Sequence, residues 1–241
     1  MTRRAPSDVD ARLAALDWDE LGHGLDAAGH AVTPPILTAA ECAALIRMYG
    51  EDRCFRSTVE MGRYRFGEGE YRYFAEPLPP LVAELRRWFF PRLAPIANRW
   101  MAALGAAERF PTDLKAWLAR CATKGQRRPT PLLLRYVAGG FNCLHQDVYG
   151  ALAFPLQVTI ALSEHGRDYD GGEFLLVEQR PRAQSRGEAI ALERGAAIVF
   201  PNRHRPVAGA RGTYRATVRH GVSRIRTGER LALGIIFHDA E

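Results

Sequence analysis

Apolar positions change their rhythm partway along the chain. In the first half they recur at the three- and four-residue spacing of helices that bury one face. Thr38-Ala-Ala-Glu41 has the form of a capping box and predicts a helix from Ala39 to Met48. Pro79 and Pro80 precede a second apolar run, Leu81 to Trp88, and Pro91 predicts a break before a third, Leu93 to Leu104. Asp113 to Cys121 predicts a further short helix. Tyr64-Arg65-Phe66-Gly67 through Tyr73-Phe74 is aromatic with little helical pattern, which predicts strands or a loop facing a substrate.

From Pro131 onward the runs shorten. Leu132 to Val137, Gln157 to Leu162, Glu173 to Val177, Ala196 to Phe200, Tyr214 to His220 and Leu231 to Phe237 read as strands separated by Gly, Pro, Asn and Asp clusters. Many short strands after a helical half predict an α+β fold: a double-stranded β-helix, or jelly roll, buttressed by N-terminal helices. The expected division is a mainly helical region, 1–130, packed on a β core, 131–241, as one integrated domain. No internal repeat or low-complexity segment interrupts this plan.

Composition narrows the class. The 241 residues are 47% hydrophobic and 25% charged, as in an ordinary globular protein, and no apolar run reaches the length of a membrane span. Arg3 and Arg4 are followed closely by Asp8, Asp10, Asp17 and Glu20, a mixture that fits neither a signal nor a transit peptide. The expected location is the cytoplasm. Cys42, Cys54, Cys121 and Cys143 form no C-x-x-C pair and read as free thiols, mostly buried.

The net charge is +6, and from Arg203 to Arg230 there are eight arginines against one acid, Glu229. Such a stretch favours polyanions such as nucleic acid. A coding bias that places arginine where lysine would serve accounts for it equally well, because Lys115 and Lys124 are the only lysines.

The sharpest local feature is Leu144-His145-Gln146-Asp147. On a strand, residues i and i+2 share a face, so His145 and Asp147 can converge on one ion. Alone, the pattern arises often by chance. His220, at the end of a later strand, would complete a facial set of two histidines and a carboxylate. That set leaves coordination positions open and suits Fe(II). Arg230 follows His220 by ten residues, on the same strand face as the small Ala232 and Gly234. An arginine buried there needs an anionic partner, and the distal carboxylate of 2-oxoglutarate fits its fork. His204 is the rival third ligand; Pro206 close behind it predicts a loop.

H-x-D, a long interval, then His with Arg about ten residues later resembles the signature of the 2-oxoglutarate/Fe(II) oxygenases. Leu133-Leu-Arg-Tyr136-Val-Ala-Gly-Gly and Leu144-His-Gln-Asp147 look like the corresponding stretch of AlkB-type nucleic-acid demethylases. Gly171-Gly172-Glu173-Phe174 resembles a strand start of prolyl-hydroxylase-like members. Segments including Arg65 to Tyr71, Leu93 to Trp100, Glu178 to Arg186 and Arg219 to Arg224 look like a bacterial branch described as oxidative demethylation of damaged DNA.

The resemblance implies Fe(II) on His145, Asp147 and His220, with 2-oxoglutarate and O2 as cosubstrates. It implies Arg230 and Tyr136 as the residues that hold 2-oxoglutarate. The expected activity is demethylation or hydroxylation of alkylated nucleobases in DNA. Hydroxylation of a protein side chain or small molecule is the alternative, and a non-catalytic jelly-roll module is a third reading. Tyr149, Arg182 and Arg186 are candidate substrate contacts, with Arg180 beside them; a solvated hairpin accounts for these arginines equally well. Phe141 and Phe154 could stack on a base, although packing in the core is the commoner role for such rings.

Overall fold

The computed structural model describes residues 8–148, 150–210 and 212–241. In chain order its elements are α1 (Asp8–Ala14), α2 (Trp18–Ala28), β1 (Ala31–Val32), α3 (Ala39–Met48), β2 (Phe55–Glu60), β3 (Gly67–Glu68) and β4 (Glu70–Phe74). Next come α4 (Pro80–Ala103), α5 (Leu114–Ala122), β5 (Leu132–Val137), β6 (Phe141–His145), β7 (Leu156–Ala161) and β8 (Tyr169–Gly171). The chain ends with β9 (Phe174–Gln179), β10 (Arg186–Ile190), β11 (Ala197–Pro201), β12 (His204–Gly209), β13 (Gly212–Val222) and β14 (Ile225–Ile235).

Alternation along the strands sorts side chains into two layers. The larger antiparallel sheet runs β1-β11-β7-β14-β5-β4-β2, with β8 also paired to β14. Its odd-numbered β14 positions, Leu231, Leu233 and Ile235, join Val158 and Ile160 of β7 and Leu133 of β5 in a core shared with the helices. The even positions, Arg230, Ala232 and Gly234, turn inward to a cavity. The smaller sheet, β10-β9-β13-β6-β3 with β12 beside β13, closes the other side. Between the sheets Phe174 and Val218 pack on Ile198 and Phe200. This is the predicted jelly roll with helices against one sheet.

The aromatic segment 64–74 supplies strands, as expected: β4 extends the larger sheet and β3 pairs with β6 of the smaller one, while β2, which was not expected, joins β4. The helical half departs from expectation at Pro91, which does not end a helix. α4 continues through Pro91 and Pro95, although an interior proline costs about 3 kcal/mol. The offset is a continuous buried stripe, Val82, Leu85, Phe89, Leu93, Ile96 and Trp100. At roughly 1.5–3 kcal/mol per large apolar side chain, the stripe outweighs the lost backbone bonds. Buried Arg86 ties α4 to the β core, donating to Ile236 O (2.9 Å) and Asp239 Oδ1 (2.8 Å).

Pro206 likewise lies in strand β12, where a loop was expected. β12 pairs only with β13, so its other edge has no ladder bond for a proline to interrupt. Arg205 of this strand, 1% exposed, pairs with Glu178 and donates to Asp26 O (2.9 Å) and Ala27 O (3.3 Å). It thereby caps the carbonyl end of α2 and anchors that helix to the smaller sheet.

Candidate metal centre and cavity

The smaller sheet brings the two histidines together. His145, the last residue of β6, is the cross-strand partner of His220 in β13, and their ring centroids are 4.2 Å apart. Asp147 lies beyond the end of β6, not on the strand, yet its carboxylate turns back. Oδ1 is 3.4 Å from His145 Nε2 and Oδ2 is 3.2 Å from His220 Nε2. Gln146, between His145 and Asp147, fixes this turn by donating to Val218 O (2.8 Å). The donor atoms of His145, Asp147 and His220 lie within 4.8 Å of one another, the one such grouping among the described residues.

Each ring is oriented. His145 Nδ1 bonds Cys143 O (2.8 Å), which protonates Nδ1 and leaves Nε2 as the lone-pair nitrogen. His220 is held between aromatic rings, Phe174 nearly parallel at 5.9 Å and Phe200 at 4.7 Å. Its Nδ1 is buried with no partner.

Burial favours neutral His220 and lowers its pKa, and the neutral ring is the form able to bind a metal. Burial acts the same way on His145, but the adjacent Asp147 carboxylate outweighs it and raises that pKa. Burial opposes charge on Asp147, yet the two imidazoles hold it well below the usual carboxylate range. The site therefore presents one anion and two imidazoles, with no thiolate, a donor set that fits Fe(II).

The three residues open on a cavity of about 390 Å³ between the sheets. One end is basic. Arg230, 3% exposed, pairs in register with Tyr136 of β5, and its guanidinium carbon lies 5.7 Å from that ring. Its Nε is buried without a hydrogen bond, and it forms no ion pair among the described residues. Fully buried Tyr136 accepts from Asn142 Nδ2 (3.3 Å), and burial pushes its hydroxyl up to about 12. Two glycines make room: a Cβ at Gly172 would lie 3.0 Å from Arg230 Cδ, and one at Gly69 would lie 2.7 Å from Tyr136 Cδ1. Both have positive φ.

Other expected contacts fall elsewhere. Tyr149 lies outside the described residues. Arg182, at the turn after β9, and Arg186, in β10, are exposed, and neither lines the cavity. Arg186 pairs with Glu188 (2.9 Å) and Arg180 with Glu178. Phe154 is core, packed on Phe90, Phe110 and Phe237. His204 lines a separate surface groove with Arg203. Cys42 and Cys121 are buried free thiols, whereas Cys143 is exposed.

Cavity residues not singled out one by one are Tyr71 and Tyr73, from the segment expected to form strands or face a substrate, and Gln157 and Thr159. Their signal in the sequence was faint: two tyrosines in alternation, and two polar residues at one parity of an otherwise apolar strand.

Of the eight arginines from Arg203 to Arg230, Arg205 and Arg230 are buried and Arg226 pairs with Asp170 (2.8 Å). Arg203, Arg215, Arg219 and Arg224 are exposed without an ion pair among the described residues. Arg215 and Arg219 share the outward parity of β13.

Comparison with known proteins gives three findings. Residues 69–240 match the family model Oxygenase-NA, described as "Oxygenase, catalysing oxidative methylation of damaged DNA". Two uncharacterized Mycobacterium tuberculosis proteins, from strains CDC 1551 and H37Rv, are each 53% identical over 167 residues, covering 69% of this chain and 72% of theirs. Among solved structures, a Burkholderia pseudomallei oxidoreductase of the 2OG-Fe(II) oxygenase family superposes with TM-score 0.55 at 19% identity, covering 94% of both chains. A Pseudomonas putida prolyl-4-hydroxylase gives 0.52 at 14% identity over 93% of this chain and 99% of its own. At these identities the two structures share the fold.

Proposed function

This chain belongs to the Oxygenase-NA family of oxygenases, and we propose that it is an iron(II)- and 2-oxoglutarate-dependent dioxygenase that removes alkyl groups from nucleobases in DNA. The observation that carries the reading is one cavity lined by His145, Asp147 and His220 and by a buried Arg230 that has no ion pair among the described residues. A buried cation with no counter-charge is costly, and a dicarboxylate bound at the metal would supply one.

His145 and His220 through Nε2, with the Asp147 carboxylate, would hold the iron. When bound, iron with 2-oxoglutarate and O2 supplies hydroxylation of a C–H bond, with succinate and CO2 as coproducts. An N-methyl group hydroxylated in this way leaves as formaldehyde, so the net outcome is demethylation. Arg230 orients the far carboxylate of the cosubstrate, and Asn142 fixes the Tyr136 hydroxyl beside it. Phe174 and Phe200 shield His220 from water and hold its ring plane.

DNA as substrate is supported by the family's description and by the exposed Arg203, Arg215 and Arg219, which have no ion pair among the described residues and can meet phosphates. No helix among the described residues is long and apolar enough to cross a membrane, and the cysteines are free, as suits a reducing cytoplasm.

The test is succinate formation with iron and 2-oxoglutarate, offered N-methylated single- and double-stranded DNA beside a proline-containing peptide and a small-molecule pool. Stimulation by methylated DNA alone is expected. Stimulation by the peptide or pool instead would move the activity to side-chain or small-molecule hydroxylation.

A further inference from the structure

The cavity has a second polar end that the iron and cosubstrate do not use. Across the larger sheet the inward side chains fall into levels. Tyr136 and Arg230 pair at one level, and Tyr73, Leu132, Gly234 and Thr159 are linked by register at another. Val158 pairs with Ile235, so Gln157 comes level with Ile236, just past the end of β14 and six residues along the chain from Arg230. At strand rise that is about 20 Å, well beyond the reach of one small dicarboxylate. Phe200, the register partner of Gln157, packs on the His220 ring. Gln157 therefore stands one side chain from the metal ligands, on the side away from Arg230.

Gln157 is 4% exposed and lines the cavity, and its side chain forms no hydrogen bond to any described residue. Its Nε2 is fully buried and unpartnered. A buried amide left unsatisfied destabilises the free protein, so its presence at an inward position points to a ligand that completes it.

The adjoining wall shows what kind of ligand. Tyr71 and Tyr73 line the same cavity with rings 5.4 Å apart and nearly perpendicular. Arg56, tied to Pro129 O (3.0 Å), lies 4.5 Å over the Tyr73 ring and holds it in place. A fixed aromatic wall beside an amide that offers both a donor and an acceptor fits a flat ring whose edge carries the complementary pair. Glutamine meets a nucleobase edge in this bidentate manner. An aliphatic side chain or a proline ring has no such edge and would leave the amide unsatisfied.

We propose that Gln157, with Tyr71 and Tyr73, forms a base-reading subsite: it binds the edge of a single nucleobase and directs the alkyl group of that base toward His145, Asp147 and His220. The subsite rests on the oxygenase reading for its purpose but not for its binding.

Two measurements test it. Ligand-free Gln157→Leu should melt about 2–4 °C above the wild type, because an unsatisfied polar group becomes apolar. Anisotropy of a single-stranded deoxyoligonucleotide with one N-methylated base, on protein loaded with iron and 2-oxoglutarate under anaerobic conditions, should show at least about tenfold weaker binding by Gln157→Leu. Wild-type affinity in that variant overturns the subsite whatever its melting temperature. If Gln157→Leu melts lower and also loses binding, Gln157→Glu decides, since it keeps the volume but presents only acceptors when ionised. Wild-type melting with weakened or altered base preference supports base reading, and wild-type binding overturns it. If the wild type binds neither methylated nor unmethylated oligonucleotide yet consumes 2-oxoglutarate, the subsite falls and the oxygenase reading stands. If binding is intact but no 2-oxoglutarate is consumed, the subsite stands and the oxygenase reading falls.

Discussion

His145 and His220 face each other across β6 and β13 as register partners, and the Asp147 carboxylate spans both Nε2 atoms at 3.4 and 3.2 Å. Each of the three residues is thus one donor to a common point. Alanine at any of them should weaken anaerobic Fe(II) binding by at least about 100-fold, more than the 10–100-fold typical of losing a supporting contact. Turnover of 2-oxoglutarate should vanish with it. His204→Ala is the control, since His204 lines a different groove. Lost iron binding in His204→Ala, with His220→Ala unaffected, would reverse the assignment.

Arg230 separates binding from stability. If it clamps the cosubstrate carboxylate, Arg230→Met should raise the dissociation constant for 2-oxoglutarate about 30-fold or more, the low end for one partner of a buried charge pair. The same change removes a buried cation that has no ion pair among the described residues, so the ligand-free melting temperature should hold or rise. Calorimetric titration and thermal melting check the two halves. A lower melting temperature with unchanged 2-oxoglutarate affinity would make Arg230 a structural residue.

Local rules made part of this legible. The capping box at Thr38 and Glu41 forms as predicted, because its partners are three residues apart. Short strand-like runs between turn residues found β5, β7, β9, β11, β13 and β14 to within a few residues, except that β14 begins six residues before the expected Leu231. The spacing of His145, Asp147, His220 and Arg230 singled out residues that the fold gathers in one cavity. Non-local effects were hidden. α4 survives two prolines only because distant strands bury its stripe, which no local pattern reports. Pro206 is tolerated because β12 lies at an edge, a matter of strand order. The arginine run looked uniform in sequence, but tertiary structure divides it into buried, paired and exposed members.

That division makes a quantitative prediction for DNA. Arg215 and Arg219 lie on the outward face of β13 without ion pairs among the described residues, whereas Arg226 is neutralised by Asp170. Each phosphate contact contributes about 0.7–0.9 to the slope of log binding constant against log salt. Arg215→Gln and Arg219→Gln should each lower the slope by about one and weaken binding to all sequences alike, while Arg226→Gln should leave it unchanged. Equal slopes in all three variants would place the DNA on another face.

His238 predicts how stability depends on pH. It is 1% exposed, and its Nδ1 accepts from the Phe154 amide (3.1 Å), which requires that nitrogen unprotonated. Burial first, and then the Arg86 cation, lower its pKa from 6.5 to about 4. Between those values the unfolded chain takes up a proton that the folded chain refuses, so stability falls as pH falls through the window. The contribution is fully present above pH 6.5 and lost below about 4. At 1.36 kcal/mol per unit the loss is about 3 kcal/mol. His238→Gln cannot titrate, so its unfolding free energy should decline less steeply over this range, by up to one proton's worth of slope. Denaturant melts of both proteins at half-unit intervals measure the difference. Parallel curves would mean that His238 takes up its proton equally in the folded and unfolded states.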